Sequence, residues 1–401
     1  MKVHRVLVEA VVQALEQIFI HNRYADKVIE RILKANPKWG ARDRAFIAEN
    51  TYEMVRWWRL INFVGDNAED NINKGSLWHL FGVWQILKQA EFPAWTEFKN
   101  ANPTYIYKRK EEASKFLEIA QSIPDWLNKL GKEQLGDKWE AEITALNQPA
   151  SLIIRTNTLK TTREQLLQQL NELEISASKL DNSYPDAIVI KKRINLFTNQ
   201  LFKQGLFEVQ DASSQKVAAY LNVEPGMHVI DACAGAGGKT LHLSALMQNK
   251  GRIISMDTEA WKLDELKKRA KRAGAQNIET RQIEANTINK LQNKADRLLL
   301  DVPCSGLGVI RRNPDAKWKL TPEFIKNIQA TQQQIITQYA KMLKPDGLMV
   351  YATCSILPEE NNWQVEKFLK ENKNFQLINQ EKISASTSGF DGFYMALIKK
   401  A

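Results

Sequence analysis

The two ends of the chain space their hydrophobic residues on different periods. Val8, Val11, Val12, Leu15, Ile18 and Phe19 recur about every 3.6 residues, the spacing of a helix with one buried face. Ala25 to Leu33 repeats the pattern, Asn36-Pro37 interrupts it, and Ala41 to Val64 resumes it. Gly75 to Ala90, Lys110 to Gln121 and Asp125 to Leu146 follow, so residues 1–145 are predicted to form an all-helical domain. Eight of the eleven tryptophans fall there, at 39, 57, 58, 78, 84, 95, 126 and 139, and are expected to fill its core. Residues 146–212 change character. Ser151 to Arg155, Ala187 to Lys191 and Leu206 to Gln210 predict short strands, and Thr162 to Leu173 predicts a helix opened by Thr162. This stretch reads as a small α+β connecting unit of an RNA-recognition-like kind.

From residue 213 to 401, short apolar runs alternate with helical stretches. A helix at Ser213 to Leu221 precedes predicted strands at Val229 to Asp231, Ile253 to Asp257, Ile278 to Ile283, Arg297 to Asp301, Leu348 to Thr353 and Tyr394 to Ile398. Helices are predicted at Trp261 to Ala273 and Pro322 to Met342. Such alternation implies an α/β fold with a Rossmann-like doubly wound sheet, in which ligands bind beyond the carboxyl ends of the strands. Asp231, Asp257, Asp301 and Cys354 all fall at such ends.

Residues 226–257 form the first strand–helix–strand unit of that sheet. Gly235, Gly237 and Gly238 in the turn from Cys233 to Lys239 let backbone approach a ligand, and Asp257 stands about 20 residues on, where a ribose acceptor is expected. Lys239-Thr240 resembles the end of a phosphate loop, but that pattern needs Gly at position 233, which is Cys. An adenosine compound without a phosphate clamp fits as well.

Composition narrows the picture. A chain of 401 residues suggests two or three domains, and 44% hydrophobic with 25% charged residues is ordinary for a globular protein. No apolar run reaches the roughly 18 residues of a membrane span, and Glu9 and Glu16 interrupt the apolar start, which reads as a helix rather than a signal peptide. A cytoplasmic, membrane-free monomer is expected. The formal charge of +10 points to a polyanionic partner, nucleic acid above all. The three cysteines, Cys233, Cys304 and Cys354, are an odd number without a CxxC or Cys/His cluster, which argues against disulfides and against metal. Each follows an apolar run. Two thiols and Asp301 at neighbouring sheet-end loops point to covalent chemistry. Pro358 with Glu359 and Glu360 is a helix-start signature, placing Cys354 near a helix N-terminus that favours thiolate.

DACAGAGGKT (231–240), DVPCSGLGVIRRNPDAKW (301–318) and YATCSILPEEN (351–361) closely resemble motifs of the RsmB/Nop-type (Fmu/NSUN superfamily) RNA (cytosine-5) methyltransferases. EVQDASSQ (208–215), IRTNTLK (154–160) and GFDGFYMALIKK (389–400) are also similar, so the likeness runs from about residue 124 to the end. The helical region is similar in length and type to the NusB-like RNA-binding domain of the bacterial 16S rRNA members. The resemblance implies a class I methyltransferase sheet with S-adenosyl-L-methionine as cofactor. It implies Cys354 as the nucleophile on carbon 6 of a cytosine, Asp301 as the group holding the protonated ring nitrogen, and Cys304 as the aid to product release. It places the cofactor against Cys233, Ala234, Gly235, Ala236, Gly237, Gly238, Lys239, Asp257, Glu284 and Asp301. Two departures stand out: Gly235-Ala236 where Ala-Pro is usual, and IEANTI, where Asn286 rivals Glu284 for the adenine contact.

Arg311, Arg312 and Lys317 flank Trp318, and the stretch 261–272 is basic, patterns suited to a looped RNA backbone. Ribosomal RNA is the favoured substrate and tRNA the runner-up. A DNA cytosine-5 enzyme would leave the second thiol without a role, and an amino-group enzyme would carry an aromatic where Cys304 stands. A non-catalytic RNA-binding or ribosome-assembly protein on the same fold is the remaining alternative.

Overall fold

The computed structural model describes residues 3–70, 72–91, 93–192 and 194–401. It divides into two compact units, residues 1–148 with 310–321, and residues 149–309 with 322–401.

The first unit is helical. Helices Arg5–Phe19, Ala25–Ala35, Ala41–Arg56, Trp58–Val64 and Lys74–Leu87 enclose one core in which Val8, Val11, Leu15, Trp58, Trp78 and Phe81 are buried. Trp84 and Trp139 are buried as well, while Trp39, Trp57 and Trp95 are half-buried against that core, so tryptophan fills space here as expected. The predicted helix over 110–121 is two helices, Pro103–Ala113 and Leu117–Ala120, and the one over 125–146 breaks at Gly136–Lys138.

The segment 310–321 belongs to this unit, although it lies in sequence between two elements of the other. Lys317 is fully buried, and its Nζ donates to the Arg56 carbonyl at 2.7 Å and to Asn147 Oδ1 at 3.1 Å. Arg311 donates to the Ala145 carbonyl at 2.6 Å, Trp318 Nε1 to the Val55 carbonyl at 2.7 Å, and Asp315 Oδ2 accepts from the first amide of helix Ala25–Ala35 at 2.9 Å. Burial pushes the Lys317 amine well below its ordinary pKa. The basic–aromatic pattern is thus an internal fastening, and Arg311 and Lys317 are corrected from phosphate contacts to buried donors.

The second unit holds two sheets. The smaller comprises β1 (Leu152–Thr156), β2 (Ala177–Lys179), β3 (Ala187–Ile190) and β4 (Phe207–Val209) in the order β2-β3-β1-β4, all antiparallel, with helix Arg163–Glu172 packed on Ile154, Ile188 and Phe207. The larger comprises β5 (His228–Asp231), β6 (Arg252–Asp257), β7 (Ile278–Gln282), β8 (Ala295–Asp301), β9 (Leu343–Thr353), β10 (Phe375–Ile383) and β11 (Phe393–Lys400). Its order is β10-β11-β9-β8-β5-β6-β7. The five strands from β9 to β7 are parallel; the inner ones are mainly apolar, as strands covered on both faces must be, β7 (IETRQ) is a mostly polar edge strand, and β10–β11 closes the other edge as an antiparallel hairpin. Strand order reverses between β5 and β8, and the crevice beyond their carboxyl ends is where such sheets bind ligands. Strand β10 was not legible in the sequence: FQLINQEKI is an edge strand, mostly polar and solvent-facing.

Lys317→Ala would orphan two buried acceptors and is expected to lower unfolding stability by about 2 kcal/mol. The slope of log RNA affinity against log salt should stay unchanged, whereas losing a phosphate contact would reduce it by about one. Chemical denaturation and a salt titration of RNA binding check both.

Candidate active site

Three strands deliver an acid to the same crevice. Asp231, at the end of β5, is buried; its Oδ2 accepts from Thr240 Oγ1 at 2.7 Å, and its Oδ1 has no hydrogen-bond partner among the described residues. Burial raises its pKa to about 7 despite the Thr240 hydrogen bond. Asp257, at the end of β6, accepts the Gly235 amide at 3.0 Å on one oxygen and the Glu259 amide at 2.9 Å on the other. Asp301, at the end of β8, accepts from Lys239 Nζ at 2.6 Å. Burial alone would lower the Lys239 pKa, but the Asp301 charge and hydrogen bond outweigh it and raise it.

A pocket of about 480 Å³ lies among these acids. Cys233, Gly235, Asp257 and Asp301, all predicted site residues, line it. Gly235 has φ +52°, a left-handed conformation, and a Cβ there would meet nothing within 4 Å, so backbone faces open space. The other predicted cofactor residues do not line it. Ala234 is buried, with its amide on the Met256 carbonyl; the Ala236 carbonyl accepts from Arg269 and the Gly238 carbonyl from Arg155; Gly237 caps helix Gly238–Leu246. Their part is to shape the turn. Lys239 serves Asp301 rather than the pocket wall. Glu284 and Asn286 are both exposed, and the neighbouring Ile283 lines the pocket instead. Sequence reasoning also missed Lys262, Gln334 and Tyr339 in the lining. Lys262 lies 3.8 Å from Asp257 and 2.6 Å from Glu259. It stands in the basic stretch 261–272, which the sequence assigns to an RNA backbone rather than to the pocket.

The parallel register of β8 with β9 sets Asp301 beside Ala352. Cys304 follows Asp301 by three residues and Cys354 follows Ala352 by two, and their sulfurs meet at 3.3 Å. The hydrogen bond to Cys354, and then burial, hold the Cys304 thiol well above its ordinary pKa, so Cys304 keeps its proton. The Cys233 thiol is also held up, by burial first and then by the charges of Asp231, Asp301 and Asp257. The predicted helix start after Cys354 is a short 3₁₀ turn, Pro358–Glu360, and the α-helix begins only at Asn362, eight residues past the thiol. The partner sulfur at 3.3 Å, rather than a helix dipole, is the documented neighbour of Cys354.

The family model described as 16S rRNA methyltransferase RsmB/F matches residues 218–397, and that of the RsmF/B-like ferredoxin-like domain matches residues 123–196. A Synechocystis sp. protein named probable ribosomal RNA small subunit methyltransferase B is 32% identical over 96% of this chain and 98% of its own length. The chain belongs to the RsmB/F family of 16S rRNA methyltransferases. The crystal structure of PH0851 matches its fold over 100% of both chains, with a TM-score of 0.83 at 24% identity. That of NSun6 from Pyrococcus horikoshii with SFG covers 69% of this chain and 98% of its own, with a TM-score of 0.64 at 21% identity. The ferredoxin-like match begins at residue 123, inside the helical unit, so the family boundary falls earlier than the boundary of compactness at 148.

The pocket fits S-adenosyl-L-methionine, the cofactor expected from the sequence. The volume suits a nucleoside-sized ligand, Gly235 leaves room for close approach, and the unpartnered buried oxygen of Asp231 stands at the same strand end.

Asp257→Ala is expected to weaken cofactor binding about tenfold or more, while Glu284→Ala leaves it nearly unchanged; calorimetry on both variants tests the assignment. A second expectation concerns Asp231. Between pH 3.8 and about 7 the folded protein holds a proton there that the unfolded chain lacks. Stability therefore falls as pH rises through that window and stays reduced above it. Asp231→Asn should flatten this fall in a pH series of unfolding midpoints.

Proposed function

We propose that this protein methylates carbon 5 of a cytosine in 16S rRNA through a covalent adduct on Cys354. The observation that carries the reading is the 3.3 Å approach of two thiols on the loops after β8 and β9, the first of which also carries Asp301 and Pro303 into the pocket lining. A single thiol would suffice to attack a pyrimidine; a second held against it suits a reaction that must also release one. The names of the curated relatives favour ribosomal over transfer RNA, and the net charge of +10 suits either. Residues 1–145 are read as the unit that binds the rRNA.

Cys354 thiolate adds to carbon 6, and the ring electrons shift so that carbon 5 becomes nucleophilic. S-adenosyl-L-methionine, when bound, supplies the electrophilic methyl group. The ring nitrogen takes a proton from solvent as carbon 6 is attacked and returns it when the product leaves; Asp301 accepts a hydrogen bond from that N–H, and the Lys239 ammonium balances the carboxylate. Once Cys354 is bonded to carbon, Cys304 gives up its own proton to solvent; its thiolate then takes the remaining proton of carbon 5, the carbon–sulfur bond breaks, and that bond's electron pair returns to Cys354. Because attack comes on the face of the base, the cytosine must first leave its stack. Asp257 and the Gly235 backbone would hold the ribose part of the cofactor, and Cys233 would pack beside it.

Cys354→Ala is expected to abolish methyl transfer to under-methylated 16S rRNA. Cys304→Ala should leave a protein–RNA adduct that survives denaturation and shows as a shifted band on a denaturing gel. Turnover by Cys354→Ala at the wild-type rate would remove the nucleophile and the proposal with it.

A further inference from the structure

Glu360 is fully buried, yet no step above uses it. Its carboxylate is surrounded by donors. Oε2 accepts the Ser305 amide at 2.7 Å and Gln332 Nε2 at 3.0 Å. Oε1 accepts the hydroxyls of Ser305 and Ser355. Ser305 follows Cys304 and Ser355 follows Cys354, so one carboxylate binds the residue after each thiol. Its own backbone is fixed by Tyr351 Oη, which donates to the Glu360 carbonyl at 2.7 Å. The two serine hydroxyls pass their remaining capacity on, accepting the amides of Leu307 at 3.3 Å and Leu357 at 3.2 Å. Four donors converge on two oxygens, a set that two carboxyl oxygens satisfy and a side-chain amide cannot, because the amide nitrogen would face donors.

We propose that Glu360 is the positioning residue that sets the distance between Cys304 and Cys354, and that it acts on release of the product more than on attack. Glu360 lies on the same stretch of chain as Cys354, six residues on, whereas Cys304 arrives on the loop after β8. Removing the carboxylate therefore frees the Cys304 loop first. A displacement of about 1 Å between reacting groups can cost about a hundredfold in rate. The effect on release rests on the function proposed above; the effect on sulfur–sulfur distance does not.

The test separates the two. Full-length wild type and Glu360→Gln are treated with diamide, which is reduced to its hydrazine as the two thiols join in a disulfide. The Cys304–Cys354 cross-link is followed by peptide mass mapping. Closure in Glu360→Gln should be slower by about tenfold or more, with cofactor affinity by calorimetry within about twofold of wild type. On rRNA the variant should lose kcat with little change in KM and accumulate the denaturation-resistant adduct. Closure at the wild-type rate would overturn the proposal, as would loss of activity in step with loss of cofactor affinity and without adduct. Slowed closure in Glu360→Gln together with full turnover by Cys354→Ala would keep the positioning role and refute the chemistry. Should Glu360→Gln fail to fold, Ser305→Ala removes one donor to the same carboxylate, and its closure rate decides by the same criterion.

Discussion

The site depends on one backbone register. β8 and β9 run parallel, and the pairing of Asp301 with Ala352 fixes how far each strand extends past the sheet edge. The ladder continues one step further, with the Val302 amide on the Ala352 carbonyl at 3.0 Å. Beyond it each strand needs two or three residues to reach its cysteine, so the sulfurs meet as a consequence of strand length. A slip of one residue would turn every side chain of β9 to the opposite face. Close backbone packing reinforces the register. The Gly308 amide donates to the Cys354 carbonyl at 2.9 Å, and a Cβ on Gly308 would lie 2.1 Å from the Gly392 carbonyl. Nothing larger than glycine lets these three loops come so near.

Charge at the crevice is organised around the same strand ends. Asp231, Asp257 and Asp301 converge on Cys233, whose thiol stays protonated for that reason and for its burial. Lys239 answers Asp301 and Lys262 answers Asp257. Asp231 forms no ion pair among the described residues, and burial, outweighing its Thr240 hydrogen bond and the Lys239 charge, keeps a proton on its carboxyl toward neutral pH. A pocket with more acids than bases at its base suits a cationic ligand, and a methyl sulfonium carries such a charge.

Much of this was legible in the chain. Acids at the ends of apolar runs and a glycine turn between two of them mark a nucleotide crevice, because both features answer to local geometry. The pairing of Cys304 with Cys354 was legible for the same reason: strand ends in a parallel sheet share an edge. What failed was everything decided by burial at long range. Lys317 and Arg311 read as a surface for phosphate, since nothing local shows that Asn147 and the carbonyls of Arg56 and Ala145 will receive them. Glu360 read as a helix signature because its four donors come from three separate parts of the chain. Glu284 was placed against the adenine by position in a motif, whereas the turn closed by its amide on Thr287 Oγ1 at 2.9 Å leaves its side chain in solvent.

The 3.3 Å contact between the two sulfurs gives them unequal roles. The hydrogen bond to Cys354, and then burial, hold the Cys304 thiol well above its ordinary pKa. In the proposed reaction, bonding of Cys354 to carbon turns its sulfur into a neutral thioether. The hydrogen bond that held the proton on Cys304 is then weakened, so Cys304 gives up that proton to solvent more readily and stands as the base at the stage when carbon 5 has a proton to lose. Release of the product frees Cys354 and restores the original surroundings of its neighbour. Two identical side chains thus acquire opposite tasks from one hydrogen bond and from the order in which carbon reaches them.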